Sequence, residues 1–327
     1  MLEYRSIDDL NKLIAQNLGR FDSDLDLIVG VPRSGMLPAT ILALYLNLPL
    51  TDLDSYINND PVSGGQRLDS IMRHRIPAHK ESRRKVLVID DSLYSGSAMS
   101  IAKNKISRMK GSEDNIIYAV IYIHPKQIDQ VDLWFESIEN RVFEWNILNH
   151  NILVNSCVDI DGILCRDPSE KENDDSFEYL NFIKNVPVLN RPSFEIGWLV
   201  TNRLEKYRNA TEQWLSNNRI IYKNLVMLDL PTKEDRMAKN YNSQHKAHTY
   251  KRSDAVLFIE SSHSQALGIA AISHKPVFCN ETRKMLYHTS IDQLKNIDAI
   301  KRNALVRFLA WTTRPIRHFF RSINIHT

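Results

Sequence analysis

Residues 86–100 read VLVIDDSLYSGSAMS, and this stretch decides the fold of the first half of the chain. Val86, Leu87, Val88 and Ile89 are consecutive apolar β-formers, the pattern of a strand buried on both faces of a parallel sheet. Asp90 and Asp91 follow at once, and then Gly96 amid the hydroxyls of Ser92, Tyr94, Ser95 and Ser97. In open parallel sheets ligands lie beyond the carboxyl ends of the strands, so the two acids are expected to face a site. The turn from Tyr94 to Ala98 leads into a helical pattern. A glycine turn at a helix N-terminus offers unpaired backbone N–H groups and the positive end of the helix dipole, which suits a phosphate. Carboxylates repel that phosphate and suit sugar hydroxyls instead. A ligand with a phosphate at one end and vicinal hydroxyls in its middle is a ribose 5-phosphate.

Outward from this stretch, strand and helix patterns alternate. SIDDLNKLIAQNL, from Ser6, reads as a helix capped by Ser6, with Asp8 and Asp9 in its first turn. DLIVGV reads as a strand, LPATILALYLNL as a helix and NIIYAVIYIHP as another strand, which predicts a parallel α/β sheet. The stretch from Asn58 to Lys85 is rich in glycine, proline and basic residues, the pattern of a long functional loop. A second α/β pattern begins at NILVNSCVDIDGILCRDP and runs through EIGWLVTNR and DAVLFIESS to KPVFC. The expected division is 1–150, 151–290 and a basic amphipathic tail, 291–327.

Composition bounds the rest. A chain of 327 residues with 43% hydrophobic and 25% charged residues is a soluble globular protein long enough for two cores. A net charge of +3 gives no argument for nucleic acid, and none is expected as a partner. Cys157, Cys165 and Cys279 form no CxxC pair, which favours a reducing compartment. MLEYRSIDDLNKL does not read as a signal peptide, and no apolar run reaches the roughly 18 residues of a bilayer span. The expectation is a cytoplasmic protein. In the tail, Lys301, Arg302, Arg307, Arg314, Arg317 and Arg321 alternate with large apolar residues. Such a segment suits an anionic membrane face or the protein's own surface equally well, so contact of 301–327 with the inner face of the membrane stays open.

IDDSLYSGSA resembles the signature of type I phosphoribosyltransferases, in which two acids bind the ribose diol and a Thr-Gly-rich loop holds the 5-phosphate. Ser95 and Ala98 stand where that family often has threonine. GVPRSGMLPA, with Arg33, Ser34 and Gly35, resembles the family's pyrophosphate loop, and the 58–85 stretch takes the place of its mobile catalytic loop. The resemblance implies Asp90 and Asp91 as catalytic, and Arg33, Ser34, Gly35, Ser92, Tyr94, Ser95, Gly96, Ser97 and Ala98 as substrate-binding. It further implies phosphoribosyl pyrophosphate (PRPP) as substrate and Mg²⁺ as cofactor. Asp52 and Asp54 are candidate general bases by position alone.

CVDIDGILCRDP resembles the first motif of haloacid-dehalogenase-type (HAD) phosphatases, with Asp159 as nucleophile and Asp161 as proton donor. Thr201 and Asn202 of WLVTNR match its phosphate-binding strand, Lys246 its cation, and Glu260 of LFIESS its Mg²⁺ acid, giving Asp159, Asp161 and Glu260 as the implied metal set. Ser261 stands where a second acid is usual. The fold implied is a phosphoribosyltransferase-like domain followed by a HAD-like Rossmannoid domain with little or no cap, open to a bulky substrate. The pairing resembles the system that transfers phosphoribose to a glycan and then removes the 5-phosphate, leaving ribofuranose in a bacterial surface polysaccharide. The other readings are nucleobase phosphoribosylation coupled to dephosphorylation, and a PRPP-sensing or scaffold protein with degenerate sites.

Overall fold

The computed structural model describes residues 2–21, 24–60, 83–110, 114–232, 235 and 241–288. The basic stretch 61–82 and the tail 301–327 lie outside the described residues. Two compact units divide the chain, Met1–Trp145 and Asn146–Thr327.

The first unit opens with strand β1 (Glu3–Arg5) and helix α1 (Ile7–Gln16). Ser6 caps that helix as its sequence predicts: its side chain accepts from Asp9 N while Asp9 accepts from Ser6 N. Then come β2 (Leu27–Gly30), α2 (Met36–Leu46), β3 (Leu50–Asp52), α3 (Leu53–Asn58), β4 (Lys85–Leu93), α4 (Ser97–Lys110), β5 (Asn115–Ile123), β6 (Leu133–Ser137) and β7 (Arg141–Phe143). Five strands form a parallel sheet in the order β3-β2-β4-β5-β6, and β7 pairs with β1 in a separate two-stranded ribbon.

The alternation along β4 explains its run of apolar residues. Leu87 and Ile89 pack with Leu10, Ile14, Ala39 and Leu42 on one face. Val86 and Val88 pack with Leu27, Val29, Ala102 and Ile106 on the other. Each such side chain removed from water stabilises the fold by about 1.5–3 kcal/mol. The two acids lie inside β4 rather than beyond it, because pairing with β5 continues to Leu93–Ile123. Pairing with β2 stops at Gly30–Ile89, and there the chain of β2 turns away. The strand order reverses between β2 and β4, which is where open α/β sheets leave a crevice.

The second unit contains β8 (Ser156–Val158), α5 (Phe177–Asn185), β9 (Ile196–Leu204), α6 (Arg208–Asn217), β10 (Tyr222–Leu228), α7 (Tyr241–Arg252), β11 (Leu257–Glu260), α8 (His263–Ser273), β12 (Val277–Cys279) and β13 (Lys284–Leu286). Its six strands run β10-β9-β8-β11-β12-β13. The sequence predicts a purely parallel sheet, but β13 runs antiparallel to β12, so the sheet is mixed. A reversing connection after Cys279 is short enough only for an antiparallel neighbour. The order reverses at β8, which lies between β9 and β11. Among the described residues no helix is long and apolar enough to cross a membrane.

Candidate active sites

In the first unit, the chain leaving β2 brings Ser34 back to β4, where its hydroxyl donates to Asp91 Oδ1 at 2.9 Å. Gly35 packs so tightly there that an added Cβ would sit 2.5 Å from Val31 O and 2.8 Å from Asp90 Oδ1. Asp91 accepts a second hydrogen bond, from Trp145 Nε1 at 2.8 Å. The Asp90 carboxylate accepts from Asp91 N at 2.8 Å. Only 6% of Asp90 and 4% of Asp91 is exposed. Burial, reinforced by the Asp91 charge, pushes the Asp90 carboxyl up to about 8. Two crowded, desolvated carboxylates are costly to hold without a ligand, and such perturbed acids cluster at functional sites.

Ser95 and Ser97 share a hydrogen bond at 2.9 Å on the turn into α4, both exposed, as is Ala98 in its first turn. Gly96 has a φ of +82°, the left-handed region that lets the turn close without a Cβ penalty. Arg33 is exposed. Ser92 accepts from Arg141 Nη2 at 3.1 Å, and the Arg141 guanidinium lies 5.0 Å from the centre of the exposed Tyr94 ring. Of the positional candidates for a base, Asp52 caps α3 through Asp54 N and Ser55 N, and Asp54 pairs with Lys105 at 3.0 Å. Those bonds give both acids local duties.

Arg141 and Trp145 were invisible as site residues in the sequence. Once β7 is known, the period of two places Arg141 and Phe143 on one side, and Trp145 stacks on Phe143 with centroids 4.5 Å apart.

In the second unit, Asp159 follows β8 and Glu260 ends β11 at the adjoining position. Lys246 from α7 enters between them, its Nζ 2.7 Å from Asp159 Oδ2, 2.8 Å from Glu260 Oε2 and 3.1 Å from Gln265 Oε1. Its side chain is 1% exposed, and Glu260 is fully buried. Burial alone lowers an ammonium, but the two carboxylates outweigh it and hold Lys246 well above its ordinary range. Burial pushes the Asp159 carboxyl upward, against the pull of Lys246. Glu260 also accepts from Ser261 N at 3.0 Å and Ser262 N at 3.1 Å, so Ser261 serves through its backbone where a second acid was expected.

Asp161 is held elsewhere. Arg203, 1% exposed, donates to it through Nε and Nη2, and Cys165 Sγ lies 3.3 Å from Asp161 Oδ1. Arg203 stands two residues beyond Thr201 on β9, so the alternation of a strand was the signal that could have found it. Thr201 is fully buried and accepts from Arg203 N at 3.2 Å, while Asn202 donates to Gln265 at 2.9 Å.

Asp159, Asp161, Thr201, Asn202 and Lys246 line one cavity of about 220 Å³, together with Asp167 and Tyr179 from the segment joining β8 and β9. A larger groove of about 750 Å³ lies along β9, β10 and α7, lined by Trp198, Val226 and His245. Asp159, Thr201 and Lys246 do not line it.

The residues implied for Mg²⁺ do not fit it as they stand. Lys246 occupies the space between Asp159 and Glu260, and Arg203 engages Asp161. Among the described residues no group of three or more His, Cys, Asp or Glu is placed to hold a metal ion in either unit. Ligation of a metal by Asp159, Asp161 and Glu260 is accordingly kept as a proposal.

Residues 3–150 match the phosphoribosyl transferase domain family. Comparison with curated proteins gives no match. The chain is similar to a xanthine-guanine-hypoxanthine phosphoribosyltransferase of Helicobacter pylori, at 14% identity over 45% of this chain and 93% of that one, with a TM-score of 0.33. It is similar to a purine phosphoribosyltransferase of Pyrococcus horikoshii at 19% identity, over 44% and 93% of the two chains, with a TM-score of 0.32. An orotate phosphoribosyltransferase of Aeropyrum pernix gives 17% identity over 40% and 69%, with a TM-score of 0.28. The first unit is thus a type I phosphoribosyltransferase-like α/β domain; the second is an α/β domain with a mixed sheet.

Proposed function

We propose that the first unit binds PRPP and transfers its 5-phosphoribosyl group to an acceptor, with release of pyrophosphate. The observation that carries this is the buried Asp90–Asp91 pair at the strand-order reversal, facing the chain that leaves β2 and followed by the Ser95–Gly96–Ser97 turn. In this reading Asp90 and Asp91 take the ribose hydroxyls, the turn at α4 takes the 5-phosphate, and Arg33, Ser34 and Gly35 border the pyrophosphate. As the bond from ribose C1 to pyrophosphate breaks, positive charge grows on the ring, which favours the ionised form of the adjacent acid pair and is stabilised by it. The test is direct: isothermal titration of the full chain with PRPP, and pyrophosphate release with candidate acceptors in Mg²⁺ buffer. No binding and no release would remove the reading and leave the scaffold alternative.

For the acceptor, a nucleobase is the first reading. What supports it is Trp145, a partly exposed indole that is bonded to Asp91 and backed by the buried Phe143 ring. An aromatic face beside the acid pair suits a planar ring.

A glycan hydroxyl is the second reading, favoured by the buried Asp159–Lys246–Glu260 cluster in the same chain. We infer phosphate-ester hydrolysis for that cluster: Asp159 attacks phosphorus, the ester P–O bond breaks and the leaving oxygen takes a proton from water. A second water then cleaves the aspartyl phosphate to release inorganic phosphate, with Lys246 balancing the negative charge. A transferase that keeps its 5-phosphate has no need of such a site, whereas transfer followed by dephosphorylation leaves a plain ribosyl group. Mass spectrometry of products made by wild type and by Asp159→Asn separates the two: a phosphoribosyl product that accumulates only in the variant supports coupled hydrolysis. A membrane role for 301–327 and a cytoplasmic location remain proposals to be tested by fractionation.

A further inference from the structure

Arg141 presents an unmet demand at the first site. Its Nη2 donates to Ser92 Oγ at 3.1 Å, whereas its Nη1 is buried without a hydrogen-bond partner. A buried N–H on a charged group left unpaired is costly, and such a group is retained where something else completes it. The guanidinium lies against two rings, 5.0 Å from the Tyr94 centroid and 5.5 Å from that of Phe143. Tyr94 is 61% exposed on the turn after β4 and meets His124 edge to face at 5.1 Å. Phe143 is 3% exposed and stacks on Trp145 within 5° of parallel.

We propose that Arg141 reads the acceptor, donating to a carbonyl or carboxylate oxygen on the molecule that attacks ribose C1, with Tyr94 moving aside to admit it. The proposal rests on the transferase reading above. Three features select an acceptor oxygen over a PRPP phosphate. Arg141 and Phe143 share β7, Phe143 stacks on Trp145, and Trp145 is bonded to Asp91, next to the proposed ribose position. The phosphates already have backbone and hydroxyl donors at the starts of α2 and α4. A planar guanidinium fork matches an oxygen lying in the plane of a flat group, and Nη1, which has no partner, asks for that one acceptor. The charge also stands near Asp90 and Asp91, so it offsets their repulsion of an anionic acceptor.

This chemistry has two sources, an oxo-nucleobase or an acidic sugar. The experiment uses the full chain with PRPP and Mg²⁺, and wild type, Arg141→Gln and Arg141→Lys. Acceptors are hypoxanthine, guanine and orotate, then adenine, which has no carbonyl oxygen, and oligosaccharides ending in glucuronate or in galactose. Pyrophosphate release gives KM and kcat for each, and titration gives the Kd for PRPP. The expected result is turnover of an oxo-base or of the glucuronate-ended glycan. For that acceptor KM should rise about ten- to hundredfold in Arg141→Gln, with partial rescue by Lys and a PRPP Kd close to wild type. Which arm is used identifies the source. Preference for adenine or for the galactose-ended glycan overturns the proposal, as does a loss in Arg141→Gln that falls on PRPP Kd instead of acceptor KM. Wild type that binds no PRPP would sink the transferase reading itself; wild type that binds PRPP, with an unchanged acceptor KM in Arg141→Gln, sinks this proposal alone.

Discussion

Arg203 holds Asp161 from inside the second unit, with Nη2 2.6 Å from Oδ1 and Nε 3.1 Å from Oδ2, and its own side chain is wholly removed from solvent. The fork fixes the carboxylate in one orientation, and Cys165 Sγ touches both partners at 3.3 Å. A buried pair of this kind contributes little net stability when intact, yet removing one member leaves a charge stranded. Arg203→Met should therefore lower unfolding free energy by about 3–5 kcal/mol, measured by urea denaturation, more than Asp161→Asn does. Equal, small losses would mean that Asp161 draws its support from solvent.

Lys246 faces both Asp159 and Glu260. Lys246→Met should leave two buried carboxylates without compensation and lower the melting temperature by roughly 5–15 °C. Lys246→Met combined with Glu260→Gln should recover part of that loss, because one charge of the stranded pair is gone. A double variant no more stable than the single one would argue against charge as the cause.

Asp90 predicts a pH dependence whose sign follows from its shift. Its folded carboxyl titrates near 8 against an ordinary 3.8, so between those values the folded state binds more protons than the unfolded one. Its contribution to stability is complete below the ordinary value and is lost as pH rises toward 8. Asp90→Asn should consequently raise the melting temperature by a few degrees, roughly 2–6 °C, at pH 8 and by less at pH 5, while weakening PRPP binding. Melts of both proteins across that range decide it.

Trp145→Phe keeps an aromatic ring against Phe143 and removes the N–H that reaches Asp91 at 2.8 Å. A hydrogen bond to a charged group is worth about 1.5–3 kcal/mol, so PRPP affinity should fall by roughly tenfold or more with only a small change in melting temperature. A large loss of stability with unaltered affinity would assign the indole to packing.

Gly35→Ala would place a methyl 2.5 Å from Val31 O and 2.8 Å from Asp90 Oδ1. The nearest of these atoms is backbone, which cannot swing away. The chain between β2 and α2 should shift, and PRPP affinity should drop by at least about tenfold, while Gly19→Ala, which meets nothing within 4 Å, serves as the neutral control.

The alternating units were legible because β4 carries its whole apolar run in one uninterrupted stretch. The Asp90–Asp91 pair was legible for the same reason: two acids directly after an apolar run stand out as a site, although the structure buries both within β4. The antiparallel β13 was not, since Lys-Met-Leu is too short to carry a period. Nor were the partners of the three acids in the second unit: spacing aligned Asp159, Asp161 and Glu260 but gave no sign that Lys246 bonds the first and last and Arg203 the middle one.

The sequence alone determined which residues go inside, where strands end in acids, and that Ser6 caps the first helix. These properties are local, set by the chain's own period and by side chains bonding to backbone a few residues away. Tertiary structure alone decided that Trp145 would reach Asp91, that Arg141 would keep an unpartnered N–H, and that Lys246 would stand between two carboxylates. Those pairings join residues 54, 49, 87 and 14 positions apart, counting the Arg141–Ser92 contact for the second. They depend on how far a strand or helix advances before its side chain meets another element, and no short window of sequence encodes that distance.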